Sequence, residues 1–103
     1  MLQSQHNAWL HAVSTLIVVV TGYFCHLGRT EWCLVVLAIV TVWVAEALNT
    51  AVEYLTDVAS PGFHPIAGKA KDVAAGAVLI AAMGSAIVGL IVFGPHVIGW
   101  LKT

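Results

Sequence analysis

Apolar residues run through the chain in three long stretches separated by two short polar breaks. The stretches cover about residues 7–27, 32–59 and 66–93, the last ending ahead of Gly94-Pro95. Each has the roughly 20 residues a helix needs to cross a bilayer. The first break, residues 26–31, is short. The second, SPGFHPIAG over residues 60–68, carries two prolines and two glycines, so the chain must break there. The pattern predicts an all-α membrane protein with three transmembrane helices per chain, forming one domain over residues 1–103. Trp9, Trp32 and Trp100 fall near span ends, where aromatic rings favour the interface.

Composition supports this reading. The chain is 60% apolar and 9% charged, with a mean hydropathy of +0.95. Those values exclude an ordinary soluble domain. A net charge of −1 without a basic run argues against a nucleic-acid partner. No Lys or Arg precedes the first apolar stretch, which therefore reads as a spanning helix and not as a cleaved signal peptide. Cys25 and Cys33 flank the first break without metal-ligand spacing. They read as small apolar fillers, or as a disulfide if that loop faces an oxidising compartment. Charge does not orient the chain: Arg29 and Lys102 fall on one side, Lys69 and Lys71 on the other.

The third stretch is rich in small residues, among them Ala74, Gly76, Ala81, Gly84 and Gly89. Such residues let helices approach closely in lipid. Three helices make a thin bundle with little interior, so a polar stripe would face lipid unless subunits associate. A homo-oligomer is expected.

Such a stripe exists. In EALNTAVEYLTD, residues 46–57, the polar residues Glu46, Asn49, Glu53 and Asp57 recur at spacings of three and four, which puts them on one helix face. Residues 32–45 are uncharged and span about 21 Å at ~1.5 Å per residue. A helix entering a ~30 Å hydrocarbon core near Trp32 leaves it near residue 52. Glu46 then lies roughly 9 Å inside the far boundary, Asn49 about half as deep and Glu53 at the surface. A charged side chain at the middle of a spanning helix costs about 2.5–3.5 kcal/mol on insertion scales, so such residues usually serve a function. A carboxyl just below the headgroups is placed to take a proton from a lipid hydroxyl. Glu53, at the wet boundary, suits Mg²⁺, a hard cation that prefers carboxylate oxygen. The competing structural reading is a stripe that joins helices through polar contacts; for Asn49 alone it is preferred.

Six of the nine charged residues fall between positions 46 and 72: Glu46, Glu53, Asp57, Lys69, Lys71 and Asp72. The end of the second helix, the second loop and the start of the third therefore form one polar end. Lys69 and Lys71 stand at a helix N-terminus, where the dipole favours anions, although Lys69 reads more readily as snorkelling to the interface. Carboxylates for metal, lysines for phosphate and a buried base make a set suited to phosphoryl transfer. GFHPIAGKA is not a P-loop, because Phe63 stands where its first Gly is needed and Ala70 where Ser or Thr must follow the Lys.

EALNTAVEYLTD and the following HPIAGKAKDVAAGAV, residues 64–78, resemble the small integral-membrane lipid kinases of bacteria, the diacylglycerol kinase and undecaprenol kinase family. The resemblance covers roughly residues 5–93 and includes HNAWLH, residues 6–11, at the entry to the first helix. It implies a homotrimer that transfers the γ-phosphoryl group of MgATP to a lipid hydroxyl at the cytoplasmic surface of the bacterial inner membrane. By that resemblance Glu46 is the catalytic base, with Asn49 and Ala75 beside it in substrate binding. Glu53 is a metal ligand; His64, Lys71, Asp72 and Glu53 contact nucleotide. Because ATP is cytoplasmic, the second loop, residues 60–68, is expected to face the cytoplasm. Two departures stand out. The family commonly has a second metal-binding Glu before the first helix, and Gln5 occupies that position. An amide oxygen can ligate a metal but adds no charge. The family's N-terminal amphipathic surface helix is also expected to be missing. These departures motivate an alternative, a weakly active or inactive relative that acts as a membrane oligomer partner. A proton or cation conduit would explain the intramembrane carboxylates but not Lys71-Asp72.

Overall fold

The computed structural model describes the backbone of residues 2–62 and 64–102, and side chains from Ala8 onward over the same ranges. Three helices follow one another: α1, Leu2–Cys25; α2, Arg29–Ala59; and α3, Pro65–Lys102. All three are long and apolar enough to cross a membrane. At ~1.5 Å per residue, the 31 residues of α2 and 38 of α3 extend about 46 and 57 Å. Both exceed a ~30 Å hydrocarbon core, so they tilt or project beyond it. The molecule is accordingly a rod of 59 × 22 × 20 Å.

Helices α2 and α3 lie antiparallel and are tied at three levels. Lys71 Nζ donates to Asp57 Oδ1 at 2.9 Å at one end, and His96 Nε2 meets Glu31 Oε2 at 3.0 Å at the other. Between them Ser85 Oγ donates to the Ala38 carbonyl at 3.0 Å, a contact that brings the two backbones close. Helix α1 touches both partners over a smaller area.

The turn from α1 to α2 is closed by the chain itself. His26 adopts a left-handed backbone, with φ of 56°. Its N–H donates to the Tyr23 carbonyl, and the Leu27 N–H donates to Gly22. This pair of bonds is a Schellman motif, which satisfies carbonyls the helix leaves open. Gly22 is needed for a second reason: a Cβ there would stand 2.9 Å from the Trp32 ring and 3.0 Å from Leu27 Cδ1. Trp32 packs, partly buried, against the buried cluster of Cys25, Leu27, Val35 and Val92. Both cysteines are free, Cys25 buried and Cys33 exposed. Gly28 caps α2, its carbonyl accepting from the Trp32 N–H and its N–H donating to Glu31 Oε1 at 3.1 Å.

At the opposite end Ser60 closes α2 with an N–H bond to Thr56. Helix α3 then starts at Pro65, inside the expected 60–68 loop. Proline suits the first helical position because its fixed φ is already helical and its missing N–H would have no helical partner. His64 is the N-cap: its carbonyl accepts from Gly68 N–H, and its Nδ1 accepts from Ile66 N–H at 3.1 Å. Helix α3 also outlasts its expected span, running past Phe93 and through Pro95 to Lys102. Pro95 removes one backbone bond and crowds Ile91. In a spanning helix neighbouring groups compensate for such a loss, and the His96–Glu31 contact holds the segment beyond the proline against α2.

Substitutions at two histidines test these chain reversals. His26→Gly relieves the left-handed strain of a residue with a Cβ and is expected to stabilise the protein by about 1 kcal/mol, read as a higher unfolding midpoint in detergent. His64→Ala removes the cap and is expected to cost about 1 kcal/mol, whereas His64→Asn, which can cap the same turn, recovers most of it in the same measurement.

Candidate active site

The EALNTAVEYLTD face lies on the last four turns of α2, and the structure divides it into three pairs. Glu46 is the buried polar residue among those described, only 8% exposed. Its Oε2 lies 3.4 Å from Nε2 of His11 on α1. One turn on, Asn49 Nδ2 donates to Glu53 Oε1 at 3.3 Å. Asp57, two turns beyond Asn49, pairs with Lys71. The carboxyls of Glu46 and Glu53 are seven residues apart, about 10 Å along the axis.

Helix α1 braces the deepest pair. Thr15 Oγ1 donates to the His11 carbonyl at 2.7 Å, and Trp43 Nε1 donates to Thr15 Oγ1 at 2.9 Å. The Trp43 ring stands tilted against the His11 imidazole, with centroids 5.8 Å apart. These residues border a cavity of about 470 Å³ between the three helices, where Ser14 and Ser85 add hydroxyls to an otherwise apolar wall.

The middle pair is incomplete. Asn49 Oδ1 is buried without a donor, a condition that costs about 1–3 kcal/mol unless a partner arrives. Among the described residues Glu53 Oε2 has no hydrogen-bond partner either. Asn49 also borders a long, open groove of about 1010 Å³ between α2 and α3. Lys69 stands at its polar end, and Leu48, Val73 and Ile80 line its apolar length.

The remaining predicted residues gather at the start of α3. Lys71 is half-buried and held by Asp57; Asp72 is exposed, and its side chain makes no hydrogen bond or ion pair among the described residues. An exposed pair such as Lys71–Asp57 contributes about 1 kcal/mol or less, so Lys71 exchanges readily onto another anion. His64 spends Nδ1 on its capping bond, which in a neutral ring leaves the Nε2 proton facing outward. Ala75 is exposed, and its neighbours Ala74 and Ala77 line the groove. The side chain of Gln5 lies outside the described residues. Among those described, no group of three or more His, Cys, Asp or Glu is placed to enclose a metal. His11 is the site residue that sequence reasoning passed over. Its signal was present, an ionisable side chain inside the first span, which by itself calls for a named partner.

Over residues 1–93 the chain matches the family model described as prokaryotic diacylglycerol kinase. It is 38% identical over 93 residues to the undecaprenol kinase of Bacillus subtilis, covering 90% of this chain and 76% of that protein. It is 36% identical over 87 residues to the diacylglycerol kinase of Synechocystis sp., covering 84% of this chain and 50% of the relative. The diacylglycerol kinase of Escherichia coli K12 is 30% identical over 84 residues, with coverages of 82% and 69%. Three helices able to cross a membrane and a match over most of the chain together place this protein in the prokaryotic diacylglycerol kinase family, as a membrane lipid kinase.

Proposed function

We propose that the protein phosphorylates a membrane lipid hydroxyl, of diacylglycerol or undecaprenol, using MgATP at the cytoplasmic face of the bacterial inner membrane. The observation that carries this reading is the buried Glu46 carboxyl, set one to two turns below Asn49 and Glu53 on a single face of α2. A lipid hydroxyl approaches from the apolar side and a polyphosphate from the wet side. One helix face spans the distance between them.

Glu46 acts as the base. The lipid hydroxyl gives its proton to the carboxylate as its oxygen bonds to the γ-phosphorus. The bond from that phosphorus to the oxygen bridging the β-phosphate breaks, and ADP leaves. Asn49 and Ala75 stand with Glu46 as the lipid-contact positions. Lys71 turns from Asp57 to the phosphates; Asp72 and the outward Nε2 of His64 complete the nucleotide contacts. The second loop accordingly faces the cytoplasm, where ATP is.

The middle pair fits Mg²⁺. Asn49 Oδ1 and Glu53 Oε2 are oxygen donors one turn apart and without protein partners among the described residues. Mg²⁺ is usually held by one or two carboxylates together with substrate phosphates and waters, so a full protein cage is not required. Gln5 is proposed to add an amide oxygen. The ion, when bound, draws phosphate oxygens together and offsets their charge.

The active unit is proposed to be a homotrimer. One chain buries few side chains, and Gly76 and Gly84 of α3 face open space. A neighbouring helix can approach such a surface closely.

Transfer of labelled γ-phosphate to diacylglycerol and to undecaprenol by the purified protein tests this function directly. No transfer to either lipid would favour the non-catalytic oligomer partner. Glu46→Gln is expected to lower kcat roughly 10²–10⁴-fold; full activity would overturn the base assignment. Glu53→Gln is expected to raise the Mg²⁺ concentration for half-maximal activity at least roughly tenfold. An unchanged Mg²⁺ dependence would remove Glu53 from the metal site.

A further inference from the structure

We propose that His11 is a positioning residue for the reaction: its Nε2–H holds Glu46 Oε2 and leaves Oε1 turned to the lipid hydroxyl. This rests on Glu46 being the base. Three observations carry it. Glu46 and His11 face each other from different helices, α2 and α1, with side chains only 11% and 23% exposed, so neither can be satisfied by bulk water alone. The imidazole is itself fixed. Trp43 packs against its ring, Trp43 Nε1 bonds Thr15, and Thr15 bonds the His11 carbonyl. Finally, Glu46 Oε2 has no other hydrogen-bond partner among the described residues, and Oε1 has none.

A carboxylate on a Glu side chain has three rotatable bonds and two equivalent oxygens. Without a fixed donor it samples orientations that point both lone pairs away from the substrate. One donor on one oxygen removes that freedom and still leaves an acceptor free. The 3.4 Å separation is long for such a bond. Catalytic contacts often tighten only when substrate is bound, and a small change in the Glu46 side chain closes this one. Helix α1, which packs lightly elsewhere, thereby contributes directly to the geometry of the site.

The test separates the imidazole's hydrogen bond from its bulk. His11→Phe keeps a ring against Trp43 and loses the donor. His11→Gln loses the ring and keeps an N–H near the Nε2 position. With saturating ATP and lipid in detergent micelles, His11→Phe is expected to lower kcat roughly 10–100-fold, the range seen when a partner that orients a functional ligand is removed. The KM values for ATP and lipid should change little. His11→Gln should recover most of the loss. A purely structural role predicts the reverse order, with Phe tolerated and Gln poor, and that order would overturn the proposal. So would wild-type kcat in His11→Phe. If His11→Phe fails to give a folded protein by thermal unfolding, a folded His11→Gln decides alone: near-normal kcat supports the proposal, and loss of kcat overturns it. Glu46→Gln distinguishes the two levels of the reading. Full activity there sinks the base assignment itself. An inactive Glu46→Gln beside a fully active His11→Phe sinks only the role of His11. In the Glu46→Gln background, His11→Phe is expected to add no further loss.

Discussion

A carboxyl buried on a helix that crosses a membrane must find its hydrogen-bond partners inside the protein, because lipid offers none. Glu46 is that carboxyl, and much of the architecture follows from it. Helix α1 supplies His11, and Trp43 and Thr15 hold His11 in place. The antiparallel register of α1 against α2 is set by the same contacts, since His11 opposite Glu46 and Thr15 opposite Trp43 describe one alignment. The α1–α2 turn then has little room to vary. Its Schellman motif and the close fit of Gly22 on Trp32 complete the alignment at the far end.

The two ends of the bundle are built differently. At the α1–α2 turn the chain packs its buried cluster, caps α2 twice through Glu31 and Gly28, and joins α3 through His96. At the other end the helices are tied by one exposed ion pair, Asp57–Lys71, and a groove opens between α2 and α3. Tight packing at one end holds the helices in register, and the looser end can admit a ligand. Lys71 sits in the weak tie, so the contact that closes this end is one that exchanges readily.

Three helices and the polar stripe on one of them were legible in the sequence, because lipid leaves a long apolar run few alternatives to a helix and spacings of three and four define a face. Glu46 is the member of that stripe which the protein itself buries. Other features turn on contacts between distant residues and were not legible. Pro95 reads locally as a stop, yet α3 continues because His96 is held by Glu31, far away in sequence. His64 reads as an incidental loop histidine or a ligand contact. Only the α3 start at Pro65 reveals that its Nδ1 is a cap. His11 carried a signal of its own, an ionisable side chain inside a span; what no pattern within α1 could give was its partner, which lies on another helix. The vacancy at Asn49 Oδ1 was equally invisible, since a sequence gives an amide but not what its oxygen lacks.

The division of the stripe into pairs bears on why a single helix face can serve two phases. Each polar residue is matched to its exposure. Glu46, buried, meets an imidazole from a neighbouring helix. Asn49 and Glu53 satisfy one another only in part, and one oxygen of each has no partner among the described residues. Asp57, exposed, holds a lysine that water screens. Burial therefore falls from the Glu46 end of α2 to the Asp57 end, and availability for exchange rises in the same direction. A buried pair keeps its orientation because neither partner has water to turn to, whereas an exposed pair opens onto any competing ion.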